Sequence, residues 1–185
     1  MKKPCTLFIL CFLISLTTYA QTDQGTWLVG LSGNGSFQKD GLNRLSQVQL
    51  APQLGYFVAR NLALGAQLSL DQRESRYRGN TTLKSHATSA YGQARYYIGN
   101  AKLKPYATIL AGYGWNRGHG LDGTGDLVRF RGDDGWQAAA GAGLAYFVGP
   151  QIALEAEAHY RFLNHGRFDR DRSATTLRLG IALYW

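Results

Sequence analysis

Apolar residues recur at every second position along most of this chain. In "TTLRLGIALYW", Leu177, Leu179, Ile181, Leu183 and Trp185 share one face of an extended strand, and Arg178, Gly180, Ala182 and Tyr184 share the other. A period of two marks a β-strand whose two faces meet different surroundings. The same alternation sets Trp27, Val29 and Leu31 against Leu28, Gly30 and Ser32. It sets Val48, Leu50, Pro52, Leu54, Tyr56 and Val58 against Gln47, Gln49, Ala51, Gln53, Gly55 and Phe57. Leu62, Leu64, Ala66, Leu68 and Leu70 oppose Ala63, Gly65, Gln67, Ser69 and Asp71, and Ala94, Tyr96 and Ile98 oppose Gln93, Arg95 and Tyr97. A fifth strand carries Ala107, Ile109, Ala111 and Tyr113 on one face, and a sixth carries Trp136, Ala138, Ala140, Ala142, Leu144, Tyr146 and Val148. A seventh sets Ile152, Leu154, Ala156, Ala158, Tyr160 and Phe162 against Glu155, Glu157, His159 and Arg161. With the terminal strand, the pattern predicts eight strands.

The predicted connections alternate in length. Residues 59–61, 99–103 and 149–150 make short turns, whereas 38–44, 72–85, 116–134 and 164–173 make long, glycine- and charge-rich connections. Short turns at one end and long loops at the other are the habit of an outer-membrane barrel. The two faces point the same way. One face carries Leu, Ile, Val and aromatics; the other carries Gln, Ser, Glu, Arg and many Gly and Ala. A water-soluble lipocalin-type barrel would have an apolar interior and a polar exterior. Tyr56, Tyr96, Tyr146 and Trp185 gather near the short turns, and Phe37, Tyr113, Trp115, Phe130, Trp136, Tyr160 and Phe162 near the long ones, as two interfacial girdles would. A hairpin recurs about 90 residues apart, "LGYFVARNLALGAQLSL" against "LAYFVGPQIALEAEAHY".

The N-terminus adds a compartment. Lys2 and Lys3, an apolar run from Leu7 to Ile14 and the small-x-small site Thr18-Tyr19-Ala20 have the order of a secretory signal peptide, with cleavage expected after Ala20. Residues 1–20 are thus a cleaved signal peptide and 21–185 one barrel domain. Both cysteines, Cys5 and Cys11, fall in the signal, so no disulfide or thiolate metal site is expected in the mature chain. The four histidines (His86, His119, His159 and His165) show no metal-ligand spacing, and no cofactor is expected. Loss of Lys2 and Lys3 takes the formal charge from +8 to +6. A basic exported chain suits anionic partners. No apolar run of about 18 residues follows the signal, which excludes a helical membrane protein but not a barrel.

On the carriers "PQLGYFVARNLALG", "ARYYIG", "KPYATILAGYG" and "LRLGIALYW", the chain from about Gly25 to Trp185 resembles the small outer-membrane β-barrel domain family, the OmpA/OmpX-type eight-stranded barrels of Gram-negative bacteria. The resemblance implies an all-β, eight-stranded antiparallel up-and-down transmembrane β-barrel in the outer membrane. Termini would be periplasmic and long loops outside. It also implies that Leu179, Ile181, Leu183 and Trp185 form a signal read by the barrel-assembly machinery. No appended peptidoglycan-binding domain is expected.

None of these motifs is catalytic. The reading is an integral outer-membrane protein with a structural, adhesion or surface-interaction role, expected as a monomer and without nucleic-acid partners. The alternatives are a lipid A-modifying acyl hydrolase or transferase and a narrow ion-conducting pore. An enzyme would need a nucleophile, a base and an orienting acid at the outer rim. His159 and His165 are candidate bases, with Ser173 and Asp169 nearby, but Arg161 occupies the place of the serine in the H-x-S spacing of a lipid A deacylase. His159 is better read as an interior residue bonded to a neighbouring strand. On the polar face, Arg95, Glu155, Glu157 and Arg178 lie at similar distances from the short turns, and are expected to form an interior charge cluster in which Arg178 meets Glu157 or Glu155. The long connections are rich in arginine. Arg73, Arg76, Arg78, Arg129, Arg131, Arg167, Arg170 and Arg172 are expected contacts for lipopolysaccharide phosphates.

Overall fold

A computed structural model of the protein describes residues 22–40, 43–77, 80–121, 127–131, 134–163 and 172–185. The expected signal segment, 1–20, lies outside them. The strands in chain order are β1 (Trp27–Asp40), β2 (Asn43–Ala59), β3 (Leu62–Tyr77), β4 (Asn80–Tyr97), β5 (Leu103–Leu121), β6 (Leu127–Arg131), β7 (Gly135–Phe147), β8 (Ile152–Leu163) and β9 (Arg172–Tyr184). Their order around the sheet is β4-β3-β2-β1-β9-β8-β7-β5, and β4 also pairs with β5, so the sheet closes on itself. Both β6 and β7 pair with β5; Arg117 faces Arg131 in β6, whereas Gly114 faces Gly135 in β7, one residue out of step. At the break the Asn116 amide donates to Asp134 Oδ1 at 3.1 Å. Together β6 and β7 make one barrel strand, and the molecule is a closed, antiparallel, eight-stranded barrel. Closure satisfies the backbone groups that an open edge would expose to lipid.

The apolar face points out. Leu54, Leu64, Ile109, Leu144, Leu154 and Leu179 are all exposed, and their chain neighbours point into the lumen. Exposed Tyr56, Tyr96, Tyr146 and Trp185 lie towards the short-turn end, with Trp27 stacked 5.0 Å from Tyr56. At the other end Tyr113 packs 5.3 Å from Trp115 and edge-on to Trp136 at 5.7 Å.

The long connections are mostly strand. β1 runs to Asp40 and β2 starts at Asn43; β3 runs to Tyr77 and β4 starts at Asn80; β5 reaches Leu121 and pairs with β6. The expected loops 38–44, 72–85 and much of 116–134 are therefore hairpin extensions standing above the apolar band. Both faces are polar there, so the period of two disappears, while ladder hydrogen bonding continues to satisfy the backbone. Of the connection 164–173, Arg172 and Ser173 belong to β9, and 164–171 lie outside the described residues. The turn residues Asn61 (φ 66°) and Gly99 (φ 83°) adopt the left-handed conformation that tight turns need.

One seam is short. β1 pairs with β2 along its whole length to Asp40, but pairs with β9 only from Leu28 (opposite Tyr184) to Gly33 (opposite Leu179). Just above, Asn34 Nδ2 donates to the Leu177 carbonyl at 3.1 Å.

Candidate functional site

The lumen is filled, and its fill is layered. Near the short turns, Leu28, Phe57, Tyr97, Tyr106, Phe147 and Tyr184 form a buried cluster with Ala63, Ala145, Ala153 and Ala182. Phe147 and Tyr184 stack at 4.9 Å and Tyr97 and Tyr106 at 5.2 Å. Glycines on the inward face make room for the rings. A Cβ on Gly143 would sit 2.5 Å from Tyr106 Cζ.

Arg95 from β4 lies above this plug. Its Nη1 donates to both Glu155 oxygens at 3.0 Å and to Tyr97 Oη at 3.1 Å, and its Nη2 donates to Gln53 Oε1 at 2.9 Å. Its guanidinium carbon stands 4.3 Å from the centre of the Tyr106 ring. Nη2 also reaches Glu157 Oε2 at 3.4 Å. Tyr184 Oη donates to Glu155 Oε1 at 3.0 Å, and Gln53 Nε2 donates to Oε2 at 3.2 Å. A buried ion pair is stable only when further hydrogen bonds satisfy its remaining atoms, and here four strands supply them. Arg95, Glu155 and Glu157 are thus brought together across the lumen.

Arg178 is not in that contact, although its Cα stands opposite Glu157. The expected direct pairing with Glu157 or Glu155 is replaced by one hydrogen bond, from Nε to Gln49 Oε1 at 3.3 Å, and Nη1 has no partner among the described residues. Glu157 Oε2 faces Arg95 Nη2 at 3.4 Å and His159 Nε2 at 2.8 Å, its Oε1 has no partner among the described residues, and Arg178 leans away, past β1, to the Gln49 amide on β2. His159 itself is buried beside Glu157 of its own strand, opposite Gly141 and Thr176, rather than at the rim. Neither of its ring nitrogens makes a hydrogen bond of regular geometry to a described residue. His165 and Asp169 lie outside the described residues, and Ser173 is placed only by its position on β9. Among the described residues no three metal-ligating side chains gather.

The other expected site residues are spread over the surface. Leu179, Ile181, Leu183 and Trp185 point outward from the last strand. Arg73 shares the inward face and donates to Gln47 Oε1 at 3.0 Å at the mouth of the barrel. Arg76 is paired with Glu74 at 2.7 Å. Arg129 and Arg131 belong to β6 and Arg172 opens β9; Arg78, Arg167 and Arg170 lie outside the described residues. What the sequence reading missed is the polar shell: Gln49, Gln53, Tyr97 and Tyr184 all bond to the buried charges. Their signal was present, as large polar residues on a face otherwise rich in Gly and Ala.

A profile of the outer membrane protein β-barrel domain matches residues 6–183, nearly the whole chain. The chain belongs to the outer membrane β-barrel domain family. Among solved structures, the barrel is similar to Neisserial surface protein A (17% identity, TM-score 0.53), covering 86% of this chain and 97% of that one. It is similar to the outer membrane protein OprG of Pseudomonas aeruginosa (12% identity, TM-score 0.58), covering 90% and 98%. It is also similar to the attachment invasion locus protein Ail of Yersinia pestis (14% identity, TM-score 0.52), covering 88% and 99%. At these identities the likeness carries the fold alone. No curated protein matches the sequence. As a member of this family, the protein is an integral barrel of the Gram-negative outer membrane.

Proposed function

We propose that this barrel is a non-conducting, non-catalytic surface protein. Its structural, adhesive or binding role is exerted by the hairpins above the membrane. In this reading the segment 1–20 is removed on export, the short turns face the periplasm and the β1–β2, β3–β4 and β5–β6 extensions face outside. The observation that carries it is the crossed lumen. The aromatic plug and the Arg95–Glu155–Glu157 bridge occupy the interior from wall to wall, so the surfaces left for partners are the hairpins and the lipid-facing wall. Eight strands leave an interior only wide enough for side chains.

The test is conductance. The barrel refolded and inserted into planar bilayers is expected to give no discrete current steps. Reproducible single-channel steps that vanish when the lumen is further blocked would establish the pore instead. Incubation with lipid A, followed by mass spectrometry, is expected to leave its acyl chains intact; their loss would establish the hydrolase.

A further inference from the structure

The outward wall of β4 and β5, just above the apolar band, carries basic residues in register. His86 stands directly opposite Arg117, and Lys84 directly opposite His119. The register continues into β6, where Arg131 stands opposite Arg117 and Arg129 opposite His119. Two adjacent rows across three strands therefore hold only Lys, Arg and His. Arg117 opposite Arg131 sets like charges directly opposite one another, which destabilises a sheet. Glu74, opposite Lys84, is itself in an ion pair with Arg76, and Asp134, at the β6–β7 break, accepts from the Asn116 amide. Lys84, His86, Arg117 and His119 make no side-chain hydrogen bond or ion pair to another described residue. An anion bound across these rows would offset that repulsion.

The depth of the grid says which anion. Trp115 lies on the same outward face of β5, two residues below Arg117, and packs against Tyr113, which in turn meets Trp136. Aromatic residues of this kind sit at the lipid interface. With a rise of about 3.4 Å per residue, Arg117 is about 7 Å above Trp115 along the strand and His119 about 14 Å, which is the headgroup zone. The geometry points to a lateral phosphate-binding patch on β4–β5, formed by Lys84, His86, Arg117 and His119, that seats the phosphorylated headgroup of an outer-leaflet glycolipid of the lipid A class. Its acyl chains run down the wall past Trp115 and Ile109. Arg117 supplies a planar fork for phosphate oxygens and Lys84 a mobile point charge. This patch differs from the arginines expected at the loop tips: Arg73 turns into the barrel mouth and Arg76 is neutralised by Glu74.

The inference rests on the membrane-spanning surface-barrel reading, and its test keeps the two apart. Refolded barrel in detergent is titrated with diphosphoryl lipid A and, separately, with dephosphorylated lipid A, and the lipid-bound fraction is read by native mass spectrometry. Folding is checked by the change in gel migration on boiling. Wild type is expected to prefer the diphosphoryl form by roughly tenfold or more. Lys84→Gln with Arg117→Gln should abolish that preference. Arg60→Gln with Lys102→Gln removes the same charge at the short-turn end and should retain it. Equal binding of the two lipids by folded wild type, or an equal loss in both double variants, would overturn the patch. The wild-type comparison decides even if the Lys84/Arg117 variant does not fold. Loss of the migration change in wild type would instead indict the barrel reading.

Discussion

Two buried arginines that face the same carboxylate, Arg95 from across the lumen and Arg178 from the neighbouring strand, are treated differently by this fold. Arg95 has Glu155, Glu157, Gln53 and Tyr97 around its guanidinium and the Tyr106 ring against its face. Arg178, equally buried, has one amide oxygen. In the lower lumen Arg95, Glu155, Gln53, Tyr97 and Tyr184 each bond to another member of the set. The layer around Arg178 and His159 leaves donor and acceptor atoms without protein partners. Burial alone therefore does not measure how much a charge holds a barrel together; the number of strands that answer it does.

The largest separation between the two should come from truncation. Arg95→Met strands two carboxylates in the lumen and is expected to cost about 3–5 kcal/mol, read as a lowered urea midpoint for the barrel folded into vesicles. Gly143→Ala attacks the same network from beneath, because the new Cβ drives into Tyr106 and through it into Arg95; about 1–3 kcal/mol is expected from overpacking. Arg178→Met should cost no more than about 2 kcal/mol, since it loses one hydrogen bond and relieves an under-partnered charge. A cost as large as that of Arg95→Met would erase the distinction drawn above. The finest test is coupling. A double-mutant cycle of Arg95→Met with Glu155→Gln should show an interaction of about 0.5–3 kcal/mol, whereas Arg178→Met with Glu157→Gln should add to within about 0.5 kcal/mol. Strong coupling in the second cycle would mean that Arg178 and Glu157 meet after all.

Much of this architecture is written in residue parity. From Val48 to Val58, or from Ile152 to Tyr160, even-numbered residues face out and odd-numbered residues face in, because lipid and lumen impose opposite demands on neighbouring positions. Parity says nothing where water bathes both faces, so Lys84, Arg117 and His119 read as loop residues although they stand on paired strands. Counting from the turns places Arg95 and Glu155 at the same depth, and the barrel joins them. The same count fails for Arg178. Depth along a strand does not say which way a long side chain leans around the circumference, and Arg178 leans towards Gln49 on β2 rather than towards Glu157 on its neighbour β8. The C-terminal aromatic pair divides its labour: Trp185 faces lipid, whereas Tyr184 turns inward to Glu155.

A closed sheet comes undone where its zipper is shortest. Between β1 and β9 the ladder ends at Gly33 and Leu179, although both strands run on beyond it. Amide protons of β1 that point toward β9 from Asn34 to Gln38 have no ladder carbonyl to protect them, while those at Leu28–Gly33 are sheltered. Local opening is governed by such differences in protection. Deuterium should enter the barrel first at the outer end of this seam and advance toward the short turns, so that the strands farthest apart in the chain, though neighbours in space, are the first to part.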